Sequence, residues 1–177
     1  MVPRNIILIG FMGTGKSTVG QKIADSLDFE FVDTDSLVVE MAGKPITQIF
    51  EEQGEPAFRD LETKALEQAA DGQHRVISTG GGIILRSENR ALLHGHGFCV
   101  WLRAKPETVY ERTCANNERP LLQGESPRDT IERLLAERDS LYRQTAHFNV
   151  RTDDLVVEDI SYGICESASV FFQKQDG

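Results

Sequence analysis

A parallel β-sheet with helices on both faces is the fold this sequence predicts, and three observations predict it. Short apolar runs alternate with longer amphipathic ones, no internal repeat or low-complexity linker interrupts them, and 177 residues suit one domain with one sizeable core. Strands separated by helices pair in parallel and are covered on both faces. Right-handed crossovers then bring every strand's carboxyl end to one edge, where folds of this kind bind ligands.

Strands are expected over residues 5–9, 30–32, 75–78, 98–102 and 148–151. Each is a short run rich in Ile, Val and Phe. Between and after them, helical periodicity covers 16–27, 35–41, 46–50, 57–69, 87–94, 106–114, 128–145 and 158–172. The helix over 128–145 carries Ile131, Leu134, Leu135, Leu141 and Tyr142 as one stripe at 3.6-residue spacing.

Composition excludes several function classes. The chain is 40% hydrophobic and 27% charged, the mixture of an ordinary globular protein. No stretch approaches the roughly 18 consecutive apolar residues that span a bilayer. The opening Met1-Val2-Pro3-Arg4-Asn5 leads into an apolar run that stops at Gly10, too short for a signal-peptide core. A cytoplasmic location is therefore expected. With 19 basic and 28 acidic residues the net charge is −9, which gives no general attraction to nucleic acid or an anionic membrane. Cys99, Cys114 and Cys165 are odd in number, far apart and without metal-ligand spacing, so they read as free thiols. His74, His94, His96 and His147 form no metal constellation, and residues 94–96 read as a turn.

The segment Gly10-Phe11-Met12-Gly13-Thr14-Gly15-Lys16-Ser17 fits the phosphate-loop pattern G-x-x-x-x-G-K-[ST]. Glycines let the chain turn its amides inward around phosphate oxygens, and the next helix adds its N-terminal positive end. Lys16 brings a mobile ammonium to the β- and γ-phosphates, and the Ser17 hydroxyl is placed to ligate Mg²⁺. By chance such a pattern arises in roughly one chain in 200. Here a strand precedes it and an amphipathic helix follows. Gly13, Thr14, Gly15, Lys16, Ser17 and Thr18 are thus candidate contacts of a nucleoside triphosphate. An acidic chain with that ligand needs its positive charge gathered in one place.

The second strand runs into Asp33-Thr34-Asp35, and strand alternation sends both carboxylates to one side of the sheet's carboxyl edge. One carboxylate can hold the water shell of Mg²⁺ while the other takes a hydrogen bond from the hydroxyl to be phosphorylated. Asp35 could instead only cap the next helix. No Asn-Lys-x-Asp guanine signature occurs, and the length leaves no room for a motor's extra domains.

Taken together, Gly10-Phe11-Met12-Gly13, Asp33-Thr34-Asp35, Phe58-Arg59-Asp60-Leu61-Glu62, Val76-Ile77-Ser78-Thr79-Gly80-Gly81-Gly82, Arg119-Pro120-Leu121-Leu122 and Leu141-Tyr142-Arg143 resemble the shikimate kinase family. The matches run from about residue 5 to residue 146. The resemblance implies a P-loop NTPase fold, nucleoside-monophosphate-kinase-like. It would have a five-stranded parallel sheet in the order 2-3-1-4-5, a substrate region near 34–62 and a lid near 115–125, all in a single domain over 1–177. It implies transfer of the ATP γ-phosphate to the 3-hydroxyl of shikimate, within aromatic amino-acid biosynthesis. Mg²⁺ would be the cofactor, ATP and shikimate the small-molecule partners, and a monomer is expected.

By the same resemblance Asp35 holds the reacting hydroxyl, Asp33 stands beside Mg²⁺ through water, and Arg59 and Arg143 bind the substrate carboxylate, for which planar guanidinium forks are well suited. Gly80, Gly81 and Gly82 let the backbone approach the ring, Phe50 and Phe58 pack against its apolar parts, Arg112 lies against adenine, and Arg119 brings charge from the lid. Glu62 orients Arg59 rather than touching substrate. Two departures stand out: the third strand ends in Ser78 rather than the usual Walker B aspartate, and residues 151–154 match the adenine loop only loosely. A gluconate or nucleoside monophosphate kinase of the same fold remains open at this point, as does a nucleotide-binding regulatory module without turnover.

Overall fold

In the computed structural model, which describes residues 4–113 and 126–176, the strands are β1 (Ile6–Ile9), β2 (Glu30–Asp33), β3 (Arg75–Ser78), β4 (Phe98–Arg103) and β5 (Phe148–Arg151). They pair in parallel in the order β2-β3-β1-β4-β5, as expected. The helices are α1 (Lys16–Leu27), α2 (Thr34–Ala42), α3 (Ile46–Ala70), α4 (Ser87–Gly95), α5 (Pro106–Thr113), α6 (Pro127–Thr145) and α7 (Val157–Asp176). The expected lid over 115–125, with Arg119, and Cys114 lie outside the described residues.

The central strand shows why the run Ile6–Ile9 has no polar alternation. Ile6 and Leu8 pack with Val19 and Ile23 of α1 and Ile160 and Ile164 of α7. Ile7 and Ile9 face the other way, into a cluster with Leu66 of α3, Leu93 of α4 and Tyr142 of α6. All four are completely buried, and each contributes about 1.5–3 kcal/mol by leaving water. At the sheet's amino edge, the buried Asn5 side chain donates to the carbonyls of Gly72 and His96 at 2.8 and 3.2 Å. It also accepts from the Arg75 amide at 3.0 Å. One amide thereby pins the approaches to three strands.

The two helices expected at 46–50 and 57–69 are the two halves of α3, separated by a kink at Gly54, whose φ of 78° and ψ of 174° leave the helical region. One detail differs from expectation. After the triple glycine, where sequence periodicity is silent, Ile83–Leu85 forms a 3-10 turn with Ile83 and Ile84 buried. The Asn89 side chain fastens this turn by donating to the Ile83 carbonyl at 3.0 Å.

The histidines at 94 and 147 meet across α4 and the start of β5, their rings stacked with centroids 4.2 Å apart. His94 ends a helix rather than opening a turn. His147 Nδ1 accepts a hydrogen bond from the Cys99 amide at 3.1 Å, so the fold holds the ring neutral. Burial, then the neighbouring His94, lower its pKa from 6.5 to about 4. The unfolded chain therefore binds the extra proton first, and stability present above pH 6.5 is lost as pH falls toward 4. We expect His147→Asn to flatten the dependence of Tm on pH in that window. An unchanged slope would remove His147 from the acid sensitivity.

Candidate active site

The phosphate loop, the segment Asp33–Asp35 and the triple glycine lie at the carboxyl ends of β1, β2 and β3, around a cavity of about 200 Å³ that includes Gly13, Lys16, Ser17, Asp33, Asp35 and Gly80 in its lining. β1 ends at Ile9, and the chain then turns back on itself. The Thr14 hydroxyl donates to the Phe11 carbonyl at 2.8 Å. Gly13 and Gly15 take φ values of 76° and 90°, which side chains with a Cβ rarely adopt. Gly15 caps α1 without a side chain, and the first turn carries no acidic residue. The positive end of the helix is thus left for an anion. Lys16 is buried, its ammonium donating to the carbonyls of Gly10 and Phe11 at 2.8 and 2.9 Å. Gly15 and Thr18 also line the cavity.

The two aspartates reach the same cavity, but not by strand alternation. β2 ends at Asp33 and α2 begins at once, so Asp33 is the helix cap and Asp35 sits in the first turn. Asp33 Oδ1 accepts from the amides of Asp35 and Ser36 at 2.9 and 3.3 Å, while Oδ2 accepts from the Ser17 hydroxyl at 3.2 Å. The capping role considered for Asp35 therefore belongs to Asp33. The Ser78 hydroxyl lies 3.4 Å from that of Ser17. Ser17, Asp33 and Ser78 form a set of hard oxygen donors, a chemistry that fits Mg²⁺ with part of its water shell retained.

Opposite the phosphate loop, the glycines after β3 have no room for side chains. A Cβ on Gly80 would come within 2.7 Å of Glu62 Oε1 and 2.9 Å of Asp35 Oδ1, and one on Gly82 would collide with the Arg59 guanidinium. The Gly80 amide donates to the Thr34 hydroxyl at 3.3 Å. Arg59 is buried, donating to Glu62 at 2.7 Å and to Glu55 at 2.9 Å. Both partners lie on α3 with it, three and four residues away. Burial works against its charge, but Glu62 and Glu55 outweigh that and raise its pKa. Burial raises the pKa of Glu62, with Arg59 opposing. Its Oε1 is buried without a hydrogen-bond donor among the described residues.

The second expected carboxylate-binding arginine is placed elsewhere. Arg143 projects outward from α6, its side chain 64% exposed, and pairs with Asp139 at 3.0 Å. Its guanidinium lies over the Trp101 ring, 5.9 Å from the ring centre. Arg138 takes the inward position instead. It is buried, donates to the Gly81 carbonyl at 3.3 Å and stands over the Phe11 ring at 5.5 Å. Helix phase explains the exchange. Arg138 lies one turn before Tyr142 on the face that also buries Ile131, whereas Arg143 is rotated about 100° from Tyr142. The signal was legible: a charged residue sits in the apolar stripe of 131, 134, 135 and 142.

Phe50 and Phe58 pack against each other with centroids 4.7 Å apart and ring planes tilted by 37°, in the cluster between α2 and α3. The Arg59 guanidinium lies 5.1 Å over Phe58, so this pair backs the arginine. Arg112 donates to the Gly13 carbonyl at 3.2 Å and to the Thr152 carbonyl at 2.9 Å, tying the phosphate loop to the loop after β5.

Comparison with known proteins agrees with this geometry. A family model described as shikimate kinase matches residues 12–169. The chain is 48% identical over 147 residues to a shikimate kinase of Neisseria meningitidis serogroup C, covering 83% of this chain and 86% of that one. It is 43% identical over 164 residues to a shikimate kinase of Symbiobacterium thermophilum, covering 92% and 94%. Among solved structures, a shikimate kinase from Acinetobacter baumannii in complex with shikimate superposes with a TM-score of 0.90 at 38% identity, covering 94% of this chain and 92% of that one.

Proposed function

The chain belongs to the shikimate kinase family, and we infer that it transfers the γ-phosphate of ATP to the 3-hydroxyl of shikimate, giving shikimate 3-phosphate and ADP. The observation that carries this reading is the pair of buried guanidiniums, Arg59 and Arg138, on either side of a glycine loop that faces the phosphate loop. A carboxylate held by that pair places a small ring over Gly80–Gly82. Its hydroxyls then meet Asp35, which lines the cavity beside Gly80. Gluconate also carries a carboxylate, but a compact cyclohexene ring suits a floor without side chains better than a longer open chain does.

The mechanism is in-line phosphoryl transfer, achieved by positioning and charge neutralisation. Amides at the start of α1 and the Lys16 ammonium hold the β- and γ-phosphates. Asp35 accepts a hydrogen bond from the attacking hydroxyl and takes its proton as the phosphorus–oxygen bond forms. Ser17 and Asp33, the latter through water, would hold Mg²⁺, which when bound supplies charge neutralisation between the phosphates. Arg112 lies against adenine. Arg119, in the lid assigned to residues near 115–125, is assigned to the transferring phosphoryl group, and the region 34–62 to the substrate. Phe50 and Phe58 support the substrate end. We place the enzyme in the cytoplasm, where ATP is available, as a monomer whose site is built from one chain. Among the described residues no helix is long and apolar enough to cross a membrane.

The test is ADP release with ATP and Mg²⁺ in the presence of shikimate, gluconate, AMP, CMP or no acceptor. Release with shikimate alone is expected. Release with a different acceptor would keep the phosphate-loop chemistry and discard the acceptor, and no release with any would favour a regulatory module. The two α6 arginines are separable in the same assay. Arg138→Met is expected to weaken shikimate binding by about 1.5–3 kcal/mol with the ATP KM unchanged. Arg143→Met should leave both within about twofold. The reverse pattern would restore Arg143 to the site.

A further inference from the structure

We propose that Tyr142 is a positioning residue for the acceptor, holding the Gly80–Gly82 loop in its binding geometry while Arg138 turns to the substrate carboxylate. The proposal rests on the shikimate reading above and adds a residue to it.

Core packing accounts for the Tyr142 ring but not for its hydroxyl. The ring is 1% exposed and stacks on Trp101 with centroids 5.5 Å apart. Phenylalanine would fill that space, and a buried hydroxyl costs stability unless it is bonded. The hydroxyl donates to the Gly81 carbonyl, which also accepts from Arg138 at a longer 3.3 Å. One backbone oxygen therefore has two donors from a single turn of α6.

Peptide planarity turns this into control of the floor. In a trans peptide the N–H of one residue points opposite to the preceding carbonyl, and no cis bond occurs among the described residues. Fixing the Gly81 carbonyl toward α6 therefore fixes the Gly82 amide away from it. Gly82 is also the residue packed against the Arg59 guanidinium.

The two donors differ in what they can do next. A guanidinium beside an anionic ligand is drawn to it, because a charge-assisted bond is stronger than a bond to a neutral carbonyl. A buried phenol has no such alternative, and burial raises its pKa further, so it stays a donor. With tyrosine present, Arg138 is released to the substrate without stranding the carbonyl. With phenylalanine, Arg138 must choose between the two.

Tyr142→Phe should therefore raise the shikimate Kd and KM roughly tenfold, the effect of one buried acceptor left without a donor. The kcat should stay within about threefold and the ATP Kd within about twofold. The chain has one tryptophan, and it is the residue stacked on Tyr142. Unchanged fluorescence of the ligand-free variant would show that the ring packing is intact. In an Arg138→Met background the choice no longer exists, so adding Tyr142→Phe should weaken shikimate by less than about threefold.

Wild-type affinity for shikimate in Tyr142→Phe would overturn the proposal, as would equal weakening of shikimate and ATP or full additivity with Arg138→Met. If Tyr142→Phe does not fold, the NMR signal of the Tyr142 hydroxyl proton in the wild-type protein decides. A signal that persists when shikimate is added supports a bond to Gly81 kept during binding, and its loss on binding overturns the proposal. A wild-type protein that does not bind shikimate would instead overturn the acceptor reading and this proposal with it.

Discussion

Lys16→Ala is expected to lower kcat by about 10²–10³-fold or more, the cost of removing one aimed donor from a charged transition state. Charge builds on the phosphate oxygens as the γ-phosphoryl group leaves ADP, and Lys16 is the cation the phosphate loop itself provides. The residue also has a structural duty, because its ammonium donates to the carbonyls of Gly10 and Phe11. Stability should therefore fall by about 1–2 kcal/mol, too little to unfold a domain of this size. Steady-state kinetics and thermal melts of the same variant separate the two effects. Substantial turnover in a folded Lys16→Ala protein would show that the loop does not hold phosphates as described.

Asp35→Asn is expected to reduce kcat by about 10²-fold or more with little change in the shikimate KM, within the range for a positioned proton acceptor. The substitution keeps the shape of the side chain and removes only the charge and the capacity to take a proton. Its backbone amide still donates to Asp33, so α2 remains capped. The cap belongs to Asp33, so the substitution tests the proton-acceptor role proposed for Asp35 without disturbing the helix start. A loss confined to KM would make Asp35 a binding residue, and an unchanged kcat would remove it from the chemistry.

The parts of this site legible in the sequence are those built from backbone and local spacing. The phosphate loop needs glycines at fixed offsets, and the strand order follows from the family whose motifs the sequence carries. The triple glycine announces a floor without side chains, and the structure shows what fills the space: Glu62, Asp35 and Arg59. Less legible were features that depend on rotational phase. The resemblance assigns the carboxylate to Arg143 through the motif Leu141-Tyr142-Arg143, yet neighbours in a helix point about 100° apart. The inward cation is Arg138, four residues before Tyr142. Asp33 and Asp35 were read from strand alternation and share the cavity because the strand ends between them. The hydroxyl bond from Tyr142 to Gly81 spans 61 residues and leaves no local trace.

The most direct test of the central claim is the ³¹P and ¹H NMR spectrum of the product formed from ATP, Mg²⁺ and shikimate by the wild-type protein. A single phosphoester coupled to the proton at ring carbon 3, in equal amount with ADP, is the predicted result. ADP without an ester, or an ester on another hydroxyl, would contradict the placement of the ring between Arg59, Arg138 and Asp35.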